Sequence, residues 1–306
     1  MNDPAGAGMR EKRELSTVLF DSARWNDFSF RDDDIVVVTW GKSGTTWTQQ
    51  IVGQLVLGAP EGISATKESP WLDCRLFPHE EIIAQLEAQN HRRFIKTHLP
   101  LDALAFSDQA KYIYVGRDVR DIVWSAYNHQ AGFTQGALDA FNNLPGWSGS
   151  PLTHPPCDVR EYYVSFLRTG EMLGFPLAPL WEHVQGWWNV RKLSNVLLVH
   201  FNNLKSDMGG EIRRIAEFLG VEIDEAVWPE ILEHCSFEYM KRESAKEEVL
   251  DDLFQGGGKT FFHKGANGRW KDVLTEEEIA ECDQVAAQHL APDCAHWLRT
   301  GEVPRE

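Results

Sequence analysis

The sequence predicts an α/β fold: a single P-loop-like domain with a mostly parallel central sheet flanked by helices on both faces. Three observations predict it. Short runs of β-forming residues alternate with stretches of helical periodicity, the pattern of strands joined by crossover helices. The strand runs are apolar at consecutive positions, as in Ile35-Val36-Val37-Val38, so burial on both faces is expected. Residues suited to anion chemistry follow directly on three of these runs, where parallel sheets place their ligands.

Taken in order, Ile35 to Val38 is the first strand. Gly41-Lys42-Ser43-Gly44 turns the chain into a helix whose Trp47, Ile51 and Leu55 recur about four apart. Arg93 to His98 reads as a short strand stopped by Leu99-Pro100. Lys111 to Gly116 is a further strand rich in β-formers, and Asp118 is placed to cap the helix Val119 to His129. Residues 131–157 carry many Gly, Pro and Asn without clear periodicity and are expected to form a long binding loop. Helical pattern resumes from Pro179 to Lys192, and Asn195 to His200 is a strand. Ile212, Ile215, Ala216 and Leu219 then share one helical face. Gln255 to Lys259 is a glycine-rich interruption, and Thr275 with Glu278 is a capping box opening a final helix.

The 306 residues are expected to form one domain, with 1–25 as a partly mobile N-terminal segment. Apolar residues make up 42% and charged residues 25%, enough for a sizeable core. The formal charge of −16 argues against nucleic acid, anionic lipid or a polyanionic polymer as partner. Any anion site must therefore be a local gathering of cations against a negative background. Five cysteines without a C-x-x-C pair indicate neither a disulfide framework nor a zinc ribbon, and a reducing cytoplasm is expected. The N-terminal residues lack the apolar run of a signal peptide, and no apolar run reaches the length of a membrane span.

The segment Trp40 to Trp47 sets a lysine, glycines and hydroxyls between a strand and a helix start. Glycines let backbone N–H groups close on an anion, the helix terminus adds positive potential, and Lys42 supplies a full charge. A nucleotide-hydrolysing P-loop would need a glycine at position 36, which is Val36, inside the strand. A phosphate-binding turn is expected, and a magnesium-dependent kinase or hydrolase is the weaker alternative.

With Lys42-Ser43-Gly44-Thr45-Thr46-Trp47 in hand, the sequence resembles the PAPS-dependent cytosolic sulfotransferases, PAPS being 3'-phosphoadenosine 5'-phosphosulfate. The likeness runs through nearly the whole chain. It includes Phe94 to Pro100, Gly116-Arg117-Asp118 with Ser125 eight residues after Arg117, and Val184 to Trp188. It continues in Ser236-Phe237 with Met240 and in Lys264-Gly265 with Gly268, Trp270 and Lys271. The resemblance implies that Lys42, Ser43, Gly44, Thr45, Thr46 and Trp47 hold the 5'-phosphosulfate, with Trp47 against the adenine. It implies that Arg117 and Ser125 bind the 3'-phosphate with Phe262, His263, Lys264 and Gly265. Phe237 forms the other aromatic wall beside Ser236 and Met240. These roles agree with residue chemistry: guanidinium suits phosphate, and aromatic faces accept purines.

Four positions depart from the family. His263 stands for an arginine, Phe201 for a tyrosine that bonds adenine, Cys235 for a threonine, and Arg269 for the aspartate beside Trp270. Lys271 and Thr275 match part of the family's dimerisation stretch, whose last acidic position is Ala280 here. A monomer or homodimer is expected.

Sulfuryl transfer needs an in-line approach, a base for the acceptor and neutralisation of the leaving phosphate. His98 is assigned as the base, because an imidazole titrates near neutrality. Lys42 is assigned to the departing phosphate oxygen, and Lys96, two residues before His98 on the same strand face, to the transferring group. Ser125 completes the catalytic set. Each has a plainer reading: a structural histidine, a solvated strand lysine, a small residue for helix packing. Arg117 alone could as well pair with Asp118 or Asp121, and Trp47 and Phe237 alone could be core aromatics. A silent nucleotide-binding relative is the remaining alternative. PAPS and its product PAP are the expected co-substrate pair, with no metal. The acceptor is expected to be a small molecule with a hydroxyl or amine, apolar or aromatic. It would be walled by residues 131–157 and 241–262 through Phe133, Phe141, Trp147, Phe254 and Phe261.

Overall fold

The protein is described from a computed structural model covering residues 12–147 and 149–304. The first half contains β1 (Ile35–Thr39), α1 (Thr45–Leu57), α2 (Ala65–Glu68), α3 (His79–Ala88), β2 (Phe94–Thr97), β3 (Lys111–Gly116), α4 (Val119–Ala131) and α5 (Gln135–Asn142). Next come α6 (Val159–Thr169), α7 (Leu180–Asn189), β4 (Val196–His200), α8 (Phe201–Ser206), α9 (Met208–Leu219) and α10 (Trp228–His234). The chain closes with α11 (Phe237–Ser244), α12 (Glu248–Leu253), α13 (Gly258–Phe261), α14 (Glu276–His289) and α15 (Pro292–Thr300).

The four strands form one all-parallel sheet in the order β2-β1-β3-β4. Side chains alternate across a strand, so each strand feeds two cores. Val36, Val38, Ile95, Tyr112 and Tyr114 pack on one side with Tyr163, Trp187, Cys294 and Trp297 from α6, α7 and α15. Ile35, Val37, Phe94, Ile113 and Val115 pack on the other with Ile51, Leu55, Ile212, Ile215 and Leu219 from α1 and α9. Consecutive apolar residues in β1 were the sign of this double burial. β1 lies between β2 and β3, so successive crossovers leave in opposite directions from its end, and a crevice opens there.

Local signals held where they were chemical. Asp118 caps α4 by accepting from the Arg120 amide, and Thr275 with Glu278 forms the capping box of α14. The stretch 131–157, expected as a loop, instead contains α5. The Thr134 hydroxyl caps this helix, which buries Ala137, Leu138 and Phe141, and its eight residues are too short to show a clear period. Residues 241–262 hold the end of α11 with α12 and α13. These two segments clasp one another: Thr134 N–H donates to Leu253 O at 3.0 Å, and Gln255 N–H to Gly132 O at 2.8 Å. Within the segment 1–25 expected to be partly mobile, residues 1–11 lie outside the described residues. Val18, Phe20 and Trp25 by contrast are core residues. Asp73 ties this segment down, accepting from Trp25 Nε1 at 2.8 Å, from Thr97 Oγ1 at 2.5 Å and from Trp71 Nε1. Among the described residues no helix is long and apolar enough to cross a membrane.

Candidate active site

The carboxyl ends of the strands open into a cavity of about 1350 Å³. The turn after β1 is its floor. Lys42 adopts a left-handed backbone (φ 68°), and Gly44 is the N-cap of α1 at φ 119°. A Cβ on Gly44 would stand 2.9 Å from the Phe201 ring, so backbone and ring meet closely only because glycine is there. No side chain caps α1, which leaves its first-turn amides for an anion.

His98 follows β2 and is 8% exposed. Its Nδ1 lies 2.7 Å from the Thr39 carbonyl and 3.1 Å from the Thr39 hydroxyl. A carbonyl only accepts, so Nδ1 carries the proton and Nε2 holds the basic lone pair. Burial first, and then the Lys96 charge, pushes this imidazole well below its usual value, so it is neutral at physiological pH. Lys96 lies with its ammonium 4.2 Å from the Trp71 ring centroid, and burial holds it down at about 8. Burial, followed by repulsion from Lys96 and Arg117, holds Lys42 at about 7.

Arg117 follows β3. The alternative that it pairs with Asp118 or Asp121 does not hold. Asp118 takes Arg120 in two contacts of 2.9 Å, and Asp121 accepts the Gly268 amide at 2.7 Å. The Arg117 guanidinium lies 4.1 Å from the Phe201 ring centroid, donates to Asn267 Oδ1 at 2.6 and 3.1 Å, and reaches the Lys42 carbonyl at 3.1 Å. Burial lowers it to about 10, against the opposing pull of Asp121 and Asp118. Phe201, where the resemblance led one to expect tyrosine, is thus a platform for Arg117 and meets Trp47 edge-on at 5.4 Å.

Trp47 is fixed by donating Nε1 to the Cys235 carbonyl at 2.8 Å, a contact made by the backbone and so indifferent to the cysteine side chain. Ser236 caps α11 through the Tyr239 amide, which sets Phe237 and Met240 on the cavity wall. Gly265, at φ 58°, packs so tightly on Phe237 that a Cβ would come within 2.6 Å of the ring. Phe262, His263, Lys264 and Gly265 line the same end. Burial, then Arg269, Lys264 and Lys241, lower His263, so the charge at this end comes from Lys264 and Arg269.

The structure therefore brings Lys42, Lys96, His98 and Ser125 to one cavity with Gly44, Thr45, Thr46, Trp47 and Arg117. Ser43 is the exception: it is buried under the turn and does not line the cavity. Of the expected acceptor walls, Phe133, Phe141, Phe254 and Phe261 line it, joined by Phe175. Trp147 does not, because it lies under the Arg75 guanidinium at 5.9 Å. Sequence reasoning missed Asn267, the partner of Arg117, and His129, whose Nδ1 is 2.9 Å from the Lys42 ammonium. Spacing held the signal for His129, since it stands four residues after Ser125 on α4 and hence on the same face. Chemically, the arrangement offers cations, aromatic walls, a neutral imidazole with an unprotonated Nε2 and a phenylalanine chamber. That set fits a nucleotide with phosphates at both ends of its ribose.

A family model described as Sulfotransferase domain matches residues 32–292. Among curated proteins, the chain is 31% identical over 315 residues to a glycolipid sulfotransferase of Mycobacterium tuberculosis (strain ATCC 25177 / H37Ra), covering 96% of each. It is 26% identical to sulfotransferase 1C2 of Oryctolagus cuniculus, over 84% of this chain and 83% of the relative. Among solved structures, a mouse sulfotransferase complexed with PAP superposes with a TM-score of 0.69 at 21% identity, covering 92% of this chain and 93% of the other. A retinol dehydratase in complex with androsterone and PAP gives 0.68 at 24% identity, over 89% and 84%.

Proposed function

The chain belongs to the sulfotransferase family, and from that premise we propose that it moves a sulfuryl group from PAPS to a hydroxyl or amine of an apolar or aromatic small molecule, releasing PAP. The observation that carries this reading is the meeting of Lys42, Lys96, His98 and Ser125 in one cavity with the aromatic pair Trp47 and Phe237.

Each residue then has a task. Trp47 and Phe237 take the two faces of the adenine. Arg117, Ser125, Lys264 and the Gly265 amide take the 3'-phosphate, with Arg269 adding charge. The amides of Gly44 to Trp47 and the Lys42 ammonium take the 5'-phosphosulfate. His98 accepts the acceptor's proton on Nε2 as the new bond to sulfur forms and the bond from sulfur to the phosphate oxygen breaks. Lys42 neutralises the charge arriving on that phosphate oxygen, and Lys96 stands beside the group in flight. Nothing in this scheme needs a metal ion.

Two features support an apolar acceptor. The chamber beside His98 and His129 is walled by Phe133, Phe175, Phe254 and Phe261. The glycolipid sulfotransferases among the relatives favour an acceptor carrying a long apolar body. The test is a mass-shift screen with PAPS against phenols, sterol-like alcohols, amines and glycolipids. Sulfated products from the apolar set are expected. Transfer only to highly charged glycans would overturn the acceptor class, and phosphate release from ATP with magnesium would overturn the reaction.

A further inference from the structure

His129 sits where the two halves of the site join. Its Nδ1 is 2.9 Å from the Lys42 ammonium, and its ring lies 4.8 Å from Phe254, 5.1 Å from Phe133, 5.8 Å from Phe261 and 6.0 Å from Phe175. It is thus a polar ring set among four phenylalanines, one turn beyond Ser125. With an anion bound beside it Lys42 is a charged ammonium, which has three N–H groups and can only donate, so Nδ1 is then the acceptor of this pair and the ring proton resides on Nε2. The other two Lys42 donors stay available for an anion. The Nε2–H has no hydrogen-bond partner among the described residues, although the ring lines the cavity. A donor in an apolar chamber is left for the ligand to satisfy.

Resting on the reading of this cavity as a sulfuryl-transfer site, we infer that His129 is an acceptor-binding residue. Its Nε2–H donates to the oxygen being sulfated, and this selects hydroxyl acceptors over amines. The selection follows from lone pairs. A hydroxyl oxygen has two, so one accepts from His129 while the other attacks sulfur and the proton leaves to His98. An amine nitrogen has one, and a donor held against it engages the electrons that must form the new bond. Lys42 fixes the ring on its other edge, so the same imidazole that steadies the phosphate-side lysine also orients the acceptor. The acceptor is then an alcohol or phenol on an apolar body.

The test compares 2-naphthol with 2-naphthylamine, which share one skeleton, using PAPS and the full-length protein. Initial rates are measured for wild type, His129→Phe and His129→Gln. In His129→Phe the naphthol-to-naphthylamine ratio of kcat/KM is expected to fall about tenfold or more, mainly through a higher KM for naphthol. His129→Gln keeps an N–H donor and is expected to recover most of the ratio. A ratio unchanged in His129→Phe overturns the inference, as does an equal loss for both probes, which marks a purely structural ring. If wild type sulfates neither naphthyl probe, the same comparison is made with the alcohol acceptor from the screen and its amine counterpart, and a ratio unchanged in His129→Phe there overturns the inference; transfer from PAPS to no acceptor in the screen means the underlying reading fails, and the inference with it.

Discussion

At the scale of single residues, the site is organised by groups that can act in one direction only. The Thr39 carbonyl can only accept, and it thereby fixes which nitrogen of His98 is basic. Burial first, and then Lys96, keep this imidazole neutral and hold it well below the near-neutral titration expected from the sequence, so its Nε2 is free of a proton but less basic than in a free imidazole. His98→Ala is expected to lower kcat by about a thousandfold while leaving PAP affinity within about threefold, since general-base catalysis contributes 10²–10⁴. Single-turnover rates and PAP calorimetry check this, and near-normal turnover would remove His98 from its role. Gly265 is the second decisive residue. Its left-handed backbone and its contact with Phe237 leave no place for a side chain. Gly265→Ala is expected to weaken PAP binding about five- to tenfold, from roughly 1 kcal/mol of backbone strain and a displaced ring. An unchanged Kd in calorimetry would show that Phe237 does not wall the nucleotide.

At the scale of elements, the Asp73 carboxylate joins three segments: the N-terminal strap through Trp25, the end of β2 through Thr97, and Trp71 beneath the Lys96 ammonium. Burial raises this carboxyl to about 6, against the opposing pull of its three donors and Lys96. Asp73→Ala strands two buried donors, Trp25 and Thr97, and the half-buried Trp71, and is expected to cost on the order of 2–4 kcal/mol of unfolding free energy. Urea denaturation measures it, and a loss below about 0.5 kcal/mol would mean the strap is held by apolar packing alone. The other exposed weakness is the clasp between Gly132-Thr134 and Leu253-Gln255, which rests on a few backbone hydrogen bonds. That clasp carries Phe133 and Phe254 together, so this phenylalanine wall of the cavity is assembled from segments about 120 positions apart in sequence, a separation no local pattern reports.

At the scale of the whole molecule, a chain of charge −16 gathers Lys42, Lys96 and Arg117 around one cavity, each lowered chiefly by burial. A bound phosphate would reverse part of that shift. Lys42 at about 7 and Lys96 at about 8 are partly neutral at pH 8, so an anion that raises them draws protons in. PAP affinity is therefore expected to be full below pH 7 and to weaken as pH rises from 7 to 9. At pH 8 about one proton is expected to be taken up per PAP bound. Calorimetry in HEPES and in Tris, whose ionisation heats differ, reads that number. No buffer dependence would mean the lysines are already fully charged in the ligand-free protein.

The four strands in chain order, the helices α1, α4, α7, α9 and α14, the double burial of the sheet and the caps on α4 and α14 were legible from the sequence, and most of the cationic and aromatic residues that line the cavity stand in motifs that carry the family resemblance. These rest on short-range causes: periodicity, turn chemistry, and motifs only a few residues long. The contacts that complete the site were decided by the tertiary structure. Asn267 reaches Arg117 across 150 positions, His129 meets Lys42 across 87, and Ser43 is turned under the loop it belongs to. Such pairings depend on how packed elements bring distant backbone together, and side-chain type at one position carries no record of the partner that packing will set beside it.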